Sequence, residues 1–315
     1  MTDSKISPFS SPKLLLARLS RLTSTIPGLD ASLMLAQYSS PIVIALLLKL
    51  AAFKARHPKV TFASGAGKRT LTVDGGFGLA KIAEGWGKAA GSIGDARVVM
   101  RAFGLLPIIQ WILSLHPRPL AALKSLLISG DFMQVLGSQK TLPTLQALAI
   151  LFYYPLEHVS WLGSKGVLPI SPLALSKAAI WSVRFWAAYI VLEIYKLRNS
   201  YRELSDRTRA LQLSRPEVTL SETTDYEFQD DKKDGFSEKP GRSAEHDGKV
   251  TPRQELADDW KTWKRRALVN GAYAPLTIHW STPGGLWSNP LITGTLGSFA
   301  AIGSLLSEWN KSDIQ

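Results

Sequence analysis

Apolar and polar positions along this chain are grouped in long blocks, and most of the apolar blocks carry a helical period. From Pro12 on, Leu15, Leu16, Leu19 and Leu22 share one face and Lys13, Arg18 and Arg21 the other. That pattern predicts a short basic amphipathic helix opened by Ser11-Pro12, able to pack on the rest of the chain or to lie on a membrane. A turn is expected over Ile26–Asp30. The uncharged run Ala31–Leu48 follows, ending in Lys49, Lys54, Arg56, His57 and Lys59. Gln37, Ser39, Ser40 and Pro41 interrupt it, so a packed or interfacial helix is expected there rather than a plain span.

Between Gly78 and Phe103 one stripe collects Leu79, Ile82, Ala83, Trp86, Ala89, Ala90, Ile93, Met100 and Phe103, with Lys81, Glu84, Lys88, Ser92 and Asp95 opposite. Arg97 falls inside the stripe. Gly85, Gly87, Gly91 and Gly94 each weaken an isolated helix by about 1 kcal/mol relative to Ala, so this helix needs a surface to form against. Two readings follow. Leu79, Ile82, Trp86, Ile93, Met100 and Phe103 insert into a leaflet with Lys81 and Lys88 at the headgroups, or the stripe faces a protein core.

Three further apolar runs follow: Ala102–Pro117, which Pro107 should kink or break, Thr141–Leu156, and Leu173–Leu197 with Trp181, Trp186, Tyr189 and Tyr195. Residues 199–259 then change character, and their mixed charge with Pro, Gly and Ser predicts a disordered linker. Asp258-Asp259 are expected to open a helix bearing Trp260 and Trp263 among Lys261, Lys264, Arg265 and Arg266, a basic cluster that should stay cytosolic.

No Asp, Glu, Lys or Arg occurs from Ala267 to Ser307, about twice the length one spanning helix needs. Its second half, Asn289–Leu306, is the candidate anchor, with an Asn-Pro helix start. Gly294/Ser298 and Gly297/Ala301 recur at the four-residue spacing that lets helices pair closely in lipid. A buried, glycine-rich helix of a soluble core is the alternative. Strands are weakly signalled. The class expected is all-α, a membrane-associated helical bundle with amphipathic helices, a disordered linker and a C-terminal hydrophobic helix. Its divisions are 1–198, 199–259 and 260–315.

Composition sharpens this picture in two ways. The net charge of the 315 residues is +12, yet residues 205–259 hold 14 of the 25 acids against 9 of the 37 bases, a local balance of −5 that leaves +17 on the apolar remainder. Basic charge interleaved with apolar surface suits an anionic membrane face, and no nucleic-acid-binding module is recognisable. The chain has no cysteine, which removes disulfides, thiolate nucleophiles and thiolate metal sites. Met1–Ser10 is polar, and the Leu14–Leu16 patch is too short for a secretory signal.

Catalytic patterns do not assemble. Gly65-Ala66-Gly67-Lys68-Arg69 is close to a phosphate loop, but Phe62 stands where its first glycine belongs and Arg69 where a Mg²⁺-holding Ser or Thr belongs. The five histidines, His57, His116, His158, His246 and His279, show no metal-ligand spacing, and Glu157-His158 lacks the second histidine of a zinc helix. No enzyme activity, cofactor or metal is expected.

The strings QYSSP at Gln37–Pro41, RAFGLLPI at Arg101–Ile108 and YYPLEHVSWLG at Tyr153–Gly163 resemble the peroxisomal biogenesis factor 11 (peroxin-11) family, close to its filamentous-fungal branch. WSVRFW at Trp181–Trp186 and NGAYAPLTIHWS at Asn270–Ser281 extend the likeness, which covers about 15–198 and 260–310. The resemblance implies a non-enzymatic protein of the peroxisomal membrane that inserts an amphipathic helix into the cytosolic leaflet. It also implies organelle elongation, proliferation and fission, self-association into a homo-oligomer, and recruitment of dynamin-type fission machinery with its membrane adaptor. The inserting helix would fall on Gly78–Phe103, which is near neutral and glycine-rich where the family's is typically strongly basic. A pore for small metabolites is the second function the resemblance permits, and a soluble helical binding module is the third reading.

Overall fold

The computed structural model describes residues 11–56, 59–64, 67–72, 76–118, 140–213 and 251–312; within 59–72 the backbone alone is described. Among these residues are eight α-helices and one β-hairpin, so the all-α class holds with one addition. In chain order the elements are α1 (Pro12–Thr23), α2 (Ile26–Arg56), β1 (Lys59–Ser64), β2 (Gly67–Thr72), α3 (Phe77–Phe103) and α4 (Leu105–Leu115). After these come α5 (Thr141–Ser164), α6 (Pro172–Leu213), α7 (Pro252–Ser281) and α8 (Pro290–Lys311).

Local chemistry explains most of the boundaries. Thr25 Oγ1 accepts from the Gly28 amide (3.2 Å), so α2 starts at Ile26 and the expected Ile26–Asp30 turn is instead its first turn. The chain breaks at Gly104, and Pro107 falls in the first turn of α4, where a missing N–H costs nothing. Thr251 and Gln254 form a reciprocal capping box: the Gln254 amide donates to Thr251 Oγ1 (3.3 Å) and the Thr251 amide to Gln254 Oε1 (3.0 Å). α7 therefore begins well before Asp258, and the expected linker of 199–259 is helical at both ends, over 199–213 and 252–259. Its middle, 214–250, lies outside the described residues, as do Met1–Ser10 and the Gly65-Ala66 pair of the phosphate-loop-like string. At α8, Asn289 Oδ1 accepts from the Leu291 amide (3.0 Å) and Pro290 follows, as the Asn-Pro pair predicts.

The hairpin, only weakly signalled in the sequence, pairs β1 and β2 antiparallel from Lys59↔Thr72 to Ser64↔Gly67, with two residues joining them. Val60, Thr61 and Phe62 in one strand and Thr70, Leu71 and Thr72 in the other are β-formers. The signal existed but spans six residues a side.

The described residues fall into two compact units. One runs to Leu197 and resumes at Lys264; the other is Arg198–Trp263. The second comprises the last turns of α6 and the first turns of α7. It is held by an Arg207–Asp259 ion pair (2.8 Å), by Trp260 Nε1 donating to Thr208 Oγ1 (3.1 Å), and by a Tyr201/Trp260/Trp263 ring cluster over buried Leu204 and Leu256.

In the first unit α2 carries α3 and α8, and the core around α2 is made of small residues. Ala272, Ala300 and Ala301 are buried with Met34, and Leu35, Tyr38 and Tyr273 pack against them. Large apolar side chains face outward instead, among them Leu46, Phe53, Phe103, Leu106, Val191 and Phe299. Small residues between helices and large ones outside are the distribution expected where lipid, not water, surrounds the bundle. α1 departs from its sequence pattern. Arg18, assigned to the polar face, is buried, its guanidinium 4.2 Å from the Trp309 ring centroid with Nη2 donating to the Trp309 carbonyl (2.8 Å), while Leu16 and Leu19 are exposed. An indole face and a helix-end carbonyl satisfy a guanidinium fork better than a leucine could.

Candidate functional site

α3 lies antiparallel on α2 through a seam of small residues. A Cβ on Gly76 would meet the Ala51 backbone and one on Gly94 the Gln37 amide (2.7 Å), while Gly87 faces Ile44 and Ala83 is buried. Gly85 and Gly91 have nothing within 4 Å. The four glycines thus divide: Gly87 and Gly94 permit close helix approach, and Gly85 and Gly91 lie on the open side.

Arg97, which interrupts the apolar stripe, belongs to this interface. Its Nε and Nη2 reach Asp30 Oδ1 (2.7 Å) and Oδ2 (3.3 Å), Nη1 reaches Gln37 Oε1 (2.7 Å), and its guanidinium lies 5.6 Å from the Tyr38 ring centroid. One turn on, Arg101 forks onto Glu157 of α5 (2.6 and 2.8 Å), and Tyr153 donates to the same carboxylate (3.0 Å). His158 sets Nε2 3.0 Å from the Val98 carbonyl and Nδ1 2.6 Å from that of Tyr154. Glu157 and His158 thus tie α5 to α3. Around them Trp186 stacks on Tyr153 (5.7 Å) and Trp280 (5.8 Å) and meets Tyr273 edge-on (4.8 Å). Burial pushes the Tyr153 and Tyr273 phenols well above their ordinary range, so both stay neutral hydrogen-bonding groups.

The residues assigned to insertion separate into two groups. Ile82, Trp86 and Phe103 are exposed, and Trp86 also donates from Nε1 to Ser40 Oγ of α2 (3.1 Å); Leu79, Ile93 and Met100 are half-buried. Lys81 and Lys88 are exposed, Lys88 paired with Glu84 (2.7 Å). Of the helix-pairing set, Gly294 packs on Pro41 and the Tyr38 carbonyl, Gly297 on the Tyr38 ring, and Ala301 is fully buried. Ser298 is half-buried and bonds back to the Gly294 carbonyl (2.7 Å). The partner of this face in the structure is α2 of the same chain.

Among the described residues four stretches are long and apolar enough, by length and composition, to cross a membrane: Ile26–Arg56, Phe77–Leu115, Pro172–Leu213 and Pro290–Lys311. The Arg97–Asp30 pair falls within two of them, and ionisable groups need such partners wherever a chain crosses hydrocarbon. Among the described residues no cluster of His, Asp and Glu is arranged to hold a metal ion. A family model described as Peroxisomal biogenesis factor 11 (PEX11) matches residues 86–309. No curated protein and no solved structure matches the chain.

Proposed function

The chain belongs to the peroxisomal biogenesis factor 11 family, and from that membership we propose that it is embedded in the peroxisomal membrane, elongates it and promotes fission of the organelle. The observation that carries the reading is the outward apolar surface of α3 and α4. Ile82, Val99, Phe103, Leu106 and Ile109 are exposed along Phe77–Leu115, a stretch long enough to cross a bilayer, and the exposed charges Lys81, Glu84 and Lys88 lie in the first half of α3. Such a surface is stable in contact with acyl chains and costly in water. Apolar side chains pressed among the lipids of one leaflet more than the other would bend the membrane. Self-association and recruitment of a dynamin-type fission machinery through its membrane adaptor belong to the same proposal. They would use surfaces other than the Gly294/Gly297 face, which α2 occupies.

The test is the double substitution Ile82→Asp with Phe103→Asp, at exposed positions where burial is not disturbed. Carbonate extraction should retain the wild-type chain on membranes, and cells carrying the variant should have fewer elongated peroxisomes. Normal elongation by the variant would overturn the reading. The pore alternative draws on a cavity of about 920 Å³ in which Arg97 and Arg101 are each neutralised by a carboxylate. Solute efflux from liposomes holding the purified chain would separate it from membrane shaping.

A further inference from the structure

The cavity just named is lined by α2 through α7 and is graded in polarity. Arg101, Tyr154 and Glu157 stand at one part of it. Ile150, on the same helix as Glu157, lies about 10 Å along the axis from it, two turns away. Ile108 follows Arg101 by the same number of residues, so the wall turns apolar in step on both sides; Trp111, next along α4, continues it, and Tyr189 of α6 stands across from Ile150, whereas Val183 lies level with Glu157.

Hydrogen-bonding capacity remains at the polar part. Arg101 spends Nε and Nη2 on Glu157. Among the described residues neither its Nη1 nor the Tyr154 hydroxyl carries a hydrogen bond, and both residues line the opening. A guanidinium edge beside a phenol selects oxygen acceptors, and its carboxylate partner keeps the local charge balanced. A site with acceptor-seeking groups at one end and a mainly apolar wall two turns away fits an amphiphile rather than a small polar solute.

We propose that this cavity holds one acyl lipid, its head oxygens on Arg101 Nη1 and the Tyr154 hydroxyl and its chain along Ile108, Trp111 and Ile150. Carboxylate and ester heads present the same acceptor oxygens, so a free fatty acid and a glycerophospholipid are the two sources. The proposal rests on the membrane reading for the route by which a chain enters.

The experiment uses the full-length chain in lipid nanodiscs, with stearate and phosphatidylcholine probes bearing a photoreactive group near the end of the acyl chain. Labelled residues are mapped by mass spectrometry. Labelling of Ile108, Trp111 or Ile150 that excess unlabelled lipid abolishes, beside labelling of outward Trp181 and Val191 that it does not, is the expected result. The probe that is competed identifies the source. Ile150→Trp, or the gentler Ile150→Phe, fills the apolar part without touching the ion pair and should suppress the competed labelling. Arg101→Gln with Glu157→Gln removes the fork without stranding a charge and should weaken competition about tenfold, the factor that one charge-assisted hydrogen bond supplies. Labelling confined to Trp181 and Val191 would overturn the proposal and leave the membrane reading intact. Lining labels that neither Ile150 variant reduces, or that acetate competes as well as oleate, would overturn it too.

Discussion

Gly91→Ala and Gly297→Ala should shift the stability of this protein in opposite directions. At Gly91 nothing lies within 4 Å of the added methyl. The substitution then gains the helix propensity that separates Ala from Gly, about 1 kcal/mol, which raises the melting midpoint of a chain this size by roughly 1–2 °C. At Gly297 the same gain applies, but the methyl would fall onto Cβ, Cγ and Cδ1 of Tyr38, at the root of that side chain. The ring has little room to swing, because it stacks on Trp280 at 6.2 Å and lies beside the Arg97 guanidinium at 5.6 Å. Overpacking of this kind costs about 1–3 kcal/mol, so the net change runs from near zero to a loss of about 2 kcal/mol. Gly294 is intermediate: an added methyl there would lie 3.1 Å from Pro41 Cβ and 3.0 Å from the Tyr38 carbonyl, and its two contributions should nearly cancel.

The assay is thermal unfolding of the full-length chain in detergent, followed by far-ultraviolet circular dichroism at matched detergent concentration. The expected order of midpoints is Gly91→Ala, then Gly294→Ala, then Gly297→Ala. Should Gly297→Ala raise the midpoint as much as Gly91→Ala, α8 is not seated on α2. Its small-residue face would then be free to pair with another copy of the chain.

Other expectations test the remaining joints. Asp30→Ala leaves the Arg97 guanidinium buried without its carboxylate and should cost about 3–5 kcal/mol, while Asp30→Leu with Arg97→Met should recover most of that in the same melt. Arg18→Ala should speed amide exchange in α1 and leave that of α2 unchanged, a local loss of about 1–2 kcal/mol from the indole and carbonyl contacts. Thr251→Ala removes one half of the capping box and should cost about 1 kcal/mol, read as faster exchange over 252–256. Deleting 216–250, a polar segment that leaves the α7 start intact, should leave the protein on peroxisomes, and a cytosolic distribution of that deletion would contradict this.

How far the sequence exposed this arrangement depended on the range of the information needed. The helices of the apolar blocks, the Asn289-Pro290 start and the break near Pro107 are set by residues within a turn or two of one another, and periodicity reveals them. The Thr251–Gln254 box is equally local but sits in a composition that reads as linker, so the polar average hid the start of α7. The partners of Arg97 and Arg18 were beyond reach. Asp30 is 67 residues away and Trp309 is 291 away, and a helical wheel shows a charge in an apolar stripe without showing what neutralises it. The glycines of α3 were readable as weak points, whereas their division into two contact positions and two open ones needed α2 in place.

That division bears on how α3 meets a membrane. Its contacts run from Ala51 through Ile44 and Gln37 to Asp30 as α3 advances from Gly76 through Gly87 and Gly94 to Arg97, so the two helices share an axis in opposite senses. If α2 crosses the bilayer, α3 crosses with it, and an α3 lying flat in one leaflet would require that whole seam to open. At 27 residues α3 is about 40 Å long, more than the roughly 30 Å of hydrocarbon. The excess of about 10 Å takes in about seven residues at its start, among them exposed Lys81; Glu84 and Lys88 are exposed further along, while Asp95, Arg97 and Arg101 are each paired to another helix or its end. Lys81 would thus meet headgroups in either orientation. What distinguishes the two is the opposite side of the helix: a flat α3 needs Leu79, Ile93 and Met100 in lipid, and a crossing α3 keeps them half-buried against protein, with Ile82 and Phe103 outward.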